Sequence, residues 1–266
     1  MSTSHLDPHE VRAHIRAGAW RVVTTGACLG HVQANLVVLP GAMADEFAAL
    51  CSANPRPLPL LERTRPGEAG NLQVAAGADL RTDLPRYHVH RSGVLDAEVD
   101  SLEEVWRDDF VAFLLGCSFS AENQLLRAEV RLRHLEMGQG VPMFITSLEC
   151  EPAGRFHGPI VVSMRPIAVD QVARAVEVTQ ELPLAHGGPL HVGDPGSIGI
   201  TDVNAPDWGD AIDVRSDEVP VFWACGVTPQ AVIRSVRPEI AVTHAPGHMF
   251  ITDLVDEAIV GRSHLI

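Results

Sequence analysis

Residues 219–254 constrain the fold more than any other stretch of this chain. The apolar run Val221-Phe222-Trp223-Ala224-Cys225, closed by Gly226, is too short for a buried helix and has the length of a strand. Thr228 suits a helix N-cap, because its hydroxyl can accept from an orphan amide, and Pro229 suits the first helical position. Ala231, Val232, Ile233 and Val236 give that helix an apolar side, Pro238 stops it, and Ile240-Ala241-Val242-Thr243 returns as a strand. A strand-helix-strand unit of this kind predicts two parallel strands.

Parallel strands joined by a crossover helix end on one sheet edge, where open α/β folds hold ligands. The spacing therefore predicts that Cys225-Gly226-Val227-Thr228 and Thr243-His244-Ala245-Pro246-Gly247-His248 meet. Amides at a helix start, carrying positive dipole character, would then face two histidines able to move protons near neutral pH. Candidate catalytic residues on that edge are His244, His248 and Cys225, with Gly226, Thr228 and Gln230 as substrate-binding candidates. His244, fixed directly at the strand end, is the expected proton carrier.

The formal charge of −14, from 20 Lys plus Arg against 34 Asp plus Glu, argues against nucleic acid or an anionic membrane as a partner. A small carboxylate ligand would need a local cluster of arginines and amides. Arg81, Arg155 and Arg165 are the candidates. Arg155 is preferred, because Gly154 and Gly158 allow close backbone approach and His157 stands beside it, whereas Arg165 is expected to serve stability. The five cysteines are an odd number with no C-x-x-C pair and no zinc-like spacing, which predicts reduced thiols and no structural metal. A start of MSTSHLDPHEV, without a basic or apolar leader, predicts a cytoplasmic location. A homo-oligomer is compatible with all of this.

Elsewhere, Asp7-Pro8 opens a helix, residues 30–40 read as a strand entering the core, and 42–53 as a helix. Ser101 to Glu104 forms a capping box, and Leu102, Val105, Trp106, Phe110, Phe113 and Leu114 recur at helical spacing up to Gly116. Cys117-Ser118-Phe119 is then a turn, with Ser120 capping a helix of 121–130. Gln33 and Asn35 are polar residues in an apolar strand, where bonding to backbone is the commoner role. From Gly138 the character changes, and residues 138–200 read as a smaller α+β lobe, with a helix at 169–180. The predicted class is α/β: a main domain of 1–137 and 201–266 with a mixed sheet, containing the parallel unit, plus that second lobe. No internal repeat shows in the sequence.

The blocks CGVTPQ at 225–230, THAPGHMFITDL at 243–254, AGRFHGPIVVSMRP at 153–166 and RTDLPRYHV at 81–89 resemble the D-glutamate cyclase family, whose bacterial members are usually labelled hydro-lyases. GHVQANLVVLP at 30–40, WRDDFVAFLLGCSFS at 106–120 and HVGDPGSIGI at 191–200 extend the resemblance over nearly the whole chain. It implies a hydro-lyase that adds or removes water on a small amino-acid-derived carboxylate, as in the reversible interconversion of 5-oxo-D-proline and D-glutamate, without a cofactor. Arg81, Asp83, Cys117, Ser118, Arg155 and His157 lie inside these blocks and join the candidate site. The chain departs from the family pattern after Val141-Pro142-Met143, where Ile145 and Ser147 replace an arginine and an asparagine.

Lactam opening needs a base for water, donors for the developing oxyanion and an acid for the departing amine. His244 or His248, the amides of Gly226 to Gln230, and Asp83 or Asp253 could supply them. Hydration of a hydroxy acid needs nearly the same parts. A small-ligand-binding protein without turnover is the remaining alternative, and zinc held by His157, His244 and His248 is disfavoured by Pro246-Gly247, which breaks helical spacing.

Overall fold

A computed structural model describes residues 6–265. In chain order the elements are α1 (Pro8–Arg16), β1 (His31–Pro40), α2 (Gly41–Ala53), β2 (Leu60–Arg63), β3 (Tyr87–Arg91), β4 (Val94–Val99), β5 (Phe110–Gly116), α3 (Phe119–Arg127) and α4 (Arg133–Met137). They continue with β6 (Met143–Glu149), β7 (Pro159–Ala168), α5 (Val172–Gln180), β8 (His191–Val192), β9 (Glu218–Ala224), α6 (Thr228–Val236), β10 (Ile240–His244) and β11 (Phe250–Val255). The class is α/β, with two sheets. One runs β2-β5-β1-β10-β3-β4, with β11 beside the start of β1, and the other runs β6-β7-β9-β8.

Every paired neighbour is antiparallel. The parallel unit expected at 219–254 is therefore corrected: β9 and β10 lie in different sheets, and α6 carries the chain from one to the other. The reason lies in the helix itself. Thr228 to Ile233 are all buried; Ala231 packs with Val161 of β7, while Val232 and Ile233 pack with Phe47 of α2 and Ala241 of β10. A helix apolar on successive positions has two sides to bury and bridges two layers instead of covering one.

The helix expected up to Gly116 is also corrected, because Phe110 to Gly116 form the strand β5, buried at all seven positions. A strand covered on both faces reads as a continuous apolar run, and Phe110, Phe113 and Leu114 match helical spacing by accident within it. Phe113 meets Phe47 edge to face at 4.8 Å, and Phe47 meets Phe156 at 5.3 Å, so one aromatic cluster ties β5, α2 and the loop before β7.

The two sheets repeat one plan. The order β2-β5-β1-β10 in the first matches β8-β9-β7-β6 in the second. In each, a strand of 10 residues (β1, β7) leads into helical backbone, then a short edge strand (β2, β8), then, after the inserted β3 and β4 in the first half, a strand (β5, β9) that ends in a cysteine turn opening a helix of 9 residues (α3, α6). The next strand of each half crosses over: β6 adds to β7, and β10 adds to β1. The turns agree bond for bond. The Ser120 amide donates to the Cys117 carbonyl at 3.1 Å, and the Thr228 amide to the Cys225 carbonyl at 3.0 Å. The Ser120 hydroxyl accepts from the Gln33 amide at 3.0 Å, and the Thr228 hydroxyl from the Val161 amide at 3.1 Å. Neither hydroxyl caps its helix as the sequence suggested; each ties a turn to the neighbouring strand. The small sheet thus takes β9 from residues 218–224 in addition to its strands at 143–192.

Candidate active site

The two cysteine turns meet at a cavity of about 560 Å³ between the halves. Cys117 and Ser118 line it from the β5–α3 turn, Cys225 and Gly226 from the β9–α6 turn. Asn35 of β1 and Ser163 of β7 also line it, and they occupy matching places, each two residues beyond the amide held by Ser120 or Thr228. Asn35 donates to the Gly116 carbonyl at 2.6 Å, and its amide presses so close to Gly226 that any Cβ there would overlap it. Gln33 keeps the role expected of a buried amide, donating to the carbonyls of Thr24 and Ala27 and so fixing the loop whose Thr25 and Gly26 also reach the cavity.

Behind the Ser118 and Ser163 side chains lies a buried ionic network. Arg165, 2% exposed, donates through Nη2 to Glu122 Oε1 at 2.6 Å and to Ser118 Oγ at 3.3 Å, and through Nη1 to Ser163 Oγ at 3.1 Å. Its guanidinium stacks 5.6 Å from the Trp223 ring centroid. Burial pushes the Glu122 carboxyl up, but the Arg165 charge and the His134 ring outweigh it and hold it below its ordinary value.

His134 completes the network from α4, with Nε2 at 2.8 Å from Glu122 Oε1. An ionised carboxylate only accepts, so Nε2 carries a hydrogen, and Nδ1 is the nitrogen left for another partner. That Nδ1 is buried and has no hydrogen-bond partner among the described residues, and His134 lines the cavity. The position of α4 is enforced by Arg133, which donates to Asp213 Oδ1 and Glu218 Oε2, both at 2.8 Å, and by Gly138 in the left-handed conformation, φ +64°, where the helix stops.

Each thiol stands at the turn that opens its helix. The amides of Phe119 beside Cys117, and of Gly226 and Val227 beside Cys225, favour the thiolate only weakly. Burial nevertheless pushes the thiols up to about 12 and about 11, so both are protonated at neutral pH.

Of the candidate catalytic and substrate-binding residues, Cys117, Ser118, Cys225 and Gly226 line this cavity; His244 and His248 do not, although Pro246 and Gly247 between them do. Thr228 lies one turn behind, and Gln230 donates to the His244 carbonyl at 3.1 Å. His244 is set into the sheet, its Nδ1 3.2 Å from the Leu36 amide nitrogen, and burial lowers its pKa to about 4. His244, the expected proton carrier, is not among the residues that line the cavity. His248 holds the Pro246-Gly247 turn through its Nδ1, 2.9 Å from the Pro246 carbonyl. Asp83 is fully buried under Arg16, at 2.8 and 2.6 Å, and the Asp79 amide, while Arg81 is engaged by Asp79 at 2.6 Å.

Neither Arg155 nor Arg165 lines the cavity, and Arg165 reaches it only through Ser118 and Ser163. Residues 153–156 form a tight turn bridged between Ala153 and Phe156, which buries Phe156 and leaves Arg155 and His157 exposed. Arg155 pairs there with Glu46 at 2.7 Å. His134 and Glu122 carried no motif, and only the helix start at Ser120 pointed toward their neighbourhood. All five cysteines are free, and among the described residues no group of three His, Cys, Asp or Glu side chains is placed to hold a metal. No helix among the described residues is long and apolar enough to cross a membrane.

The D-glutamate cyclase family model matches residues 111–253, a span that includes both cysteine turns and the whole ionic network. A protein of Thermoanaerobacter sp. (strain X514), named "Putative hydro-lyase", is 53% identical over 96% of this chain and 96% of its own length. One of the same name from Stutzerimonas stutzeri is 52% identical over 96% of each chain. "Putative hydro-lyase YcsI" of Bacillus subtilis is 50% identical over 96% of this chain and 99% of its own. With the family span and near full-length identity of this size, the chain belongs to the D-glutamate cyclase family.

Proposed function

We propose that this chain is a lyase that adds or removes water on a small amino-acid-derived carboxylate in the cavity between Cys117 and Cys225, with 5-oxo-D-proline and D-glutamate as the first pair to test. The observation that carries this is His134, a buried imidazole of the cavity lining with one nitrogen fixed on an ionised carboxylate and the other without a hydrogen-bond partner among the described residues. Such a ring can take a proton from water, or from a carbon next to a carboxylate, and Glu122 stabilises the imidazolium that results. The starts of α3 and α6 bring positive dipole ends to the same space, suited to a substrate carboxylate or a developing oxyanion. A thiol kept protonated by burial, Cys117 or Cys225, can supply the proton that the departing amine or hydroxide needs. The volume is in the range of small-molecule sites.

Hydration of a less charged acid is favoured by one feature. Ile145, where the family pattern has an arginine, packs against the apolar cluster of Cys225 and Val227 behind the cavity lining, so no charge is supplied from that position. Equilibration in oxygen-18 water separates the two chemistries. Lactam opening of 5-oxo-D-proline places the label in a carboxylate, whereas hydration of an unsaturated acid places it in an alcohol. Label in either position is expected, and its absence from both would leave only a binding role.

A further inference from the structure

The duplicated fold gives the cavity two thiols in matching places, one from each sheet. Cys117 follows β5 and Cys225 follows β9; each ends its strand and stands at the turn that opens a helix of 9 residues. Both residues line the one cavity, Cys117 beside Ser118 and Cys225 beside Gly226, and the Arg165 charge favours the thiolate of each. His134, buried, with an unpartnered nitrogen, lines the same space and provides a place for a displaced thiol proton. One base would suffice for adding or removing water, so the second thiol needs its own account.

We propose that Cys117 and Cys225 act as a two-sided acid/base pair that exchanges the proton on the carbon next to a substrate carboxylate, and so inverts that centre. The proposal rests on the reading that this cavity binds a small carboxylate. In the step, one sulfur, as thiolate, takes the hydrogen from the α-carbon, and the electrons of the broken C–H bond pass into the carboxylate. The planar carbanion then takes the proton of the opposite thiol, whose S–H electrons remain on sulfur. The centre is inverted, the thiol and thiolate have exchanged places, and no oxidant or co-reactant is consumed. The helix-start amides stabilise whichever sulfur is anionic. Pseudo-two-fold placement is what this chemistry needs, since the two faces of the flat intermediate are mirror-related.

The test is deuterium uptake at the α-carbon of 5-oxo-D-proline and, separately, 5-oxo-L-proline in heavy water, followed by proton NMR and chiral chromatography, with oxygen-18 incorporation read in parallel. The intact protein is expected to exchange the α-proton of both and to interconvert them. Cys117→Ser should lose uptake from one enantiomer, and Cys225→Ser from the other, each by at least tenfold, with circular dichroism unchanged. Equal loss from both enantiomers in two folded variants would overturn the assignment of one thiol to each face. Oxygen-18 incorporation with a retained α-proton overturns the thiol pair and leaves the lyase. Deuterium uptake without oxygen-18 keeps the thiol pair and removes the lyase, and uptake of neither isotope overturns both.

Discussion

His134→Gln is expected to lower turnover by a factor of ~10² to 10⁴, the range typical of a proton-transferring side chain, with the fold intact. Glutamine can still donate to Glu122, so the partner of that carboxylate is replaced and the network keeps its bond at this point. It cannot accept and release a proton in the range where enzymes work, and so it removes the one property for which the unpartnered Nδ1 is suited. The readout is kcat for opening of 5-oxo-D-proline across pH, beside the thermal midpoint. A flattened pH profile with a small change in midpoint is expected. His244→Asn is the control, because a ring held neutral in the sheet should change the midpoint and leave the profile's shape alone. Retention of most activity by His134→Gln would remove it from the chemistry.

Arg165→Met should cost about 3–5 kcal/mol at neutral pH, the range for breaking a buried ion pair by deleting one partner. The guanidinium serves Glu122, Ser118 and Ser163 together, and methionine replaces its bulk against Trp223 while leaving Glu122 charged and buried. The pH dependence follows from the sign. In the native chain Glu122 is held below its ordinary value, so its contribution is present above the unfolded pKa and fades as pH falls through the folded one. Without Arg165, burial pushes the carboxyl up, and the folded variant gains a proton that the unfolded chain does not yet hold. The deficit should therefore be widest near neutral pH and narrow on acidification, which urea titrations from pH 7 to pH 4 would show. A deficit independent of pH would mean that the loss is packing alone.

The cavity was partly legible in the sequence because chain-local chemistry marks it. Cys225-Gly226 and Cys117-Ser118 each stand where an apolar strand gives way to a helix start, and both turns line the site. What brings them together was not legible, since the duplication resides in hydrogen bonds from Ser120 and Thr228 and in strand order, while the matching positions Gln33 and Val161 share no chemistry. The expectation of a parallel pair joined the Cys225 turn to the 243–248 turn through a shared sheet edge; Pro246 and Gly247 do line the cavity with Cys225 and Gly226, but they follow a strand of the other sheet. Arg155 and Arg165 were separated by burial alone, which the tight 153–156 turn decides and local composition does not. His134 could not be found, because its significance depends on a carboxylate twelve residues away that is itself ionised only by a third residue.

A crystal of the protein soaked in 5-oxo-D-proline tests most directly that this cavity is the active site. The ligand is expected between the two cysteine turns, its carboxylate at the starts of α3 and α6 and a polar atom within hydrogen-bonding distance of His134 Nδ1. Ligand bound elsewhere, with the space between Cys117 and Cys225 holding only water at saturating concentration, would contradict the assignment.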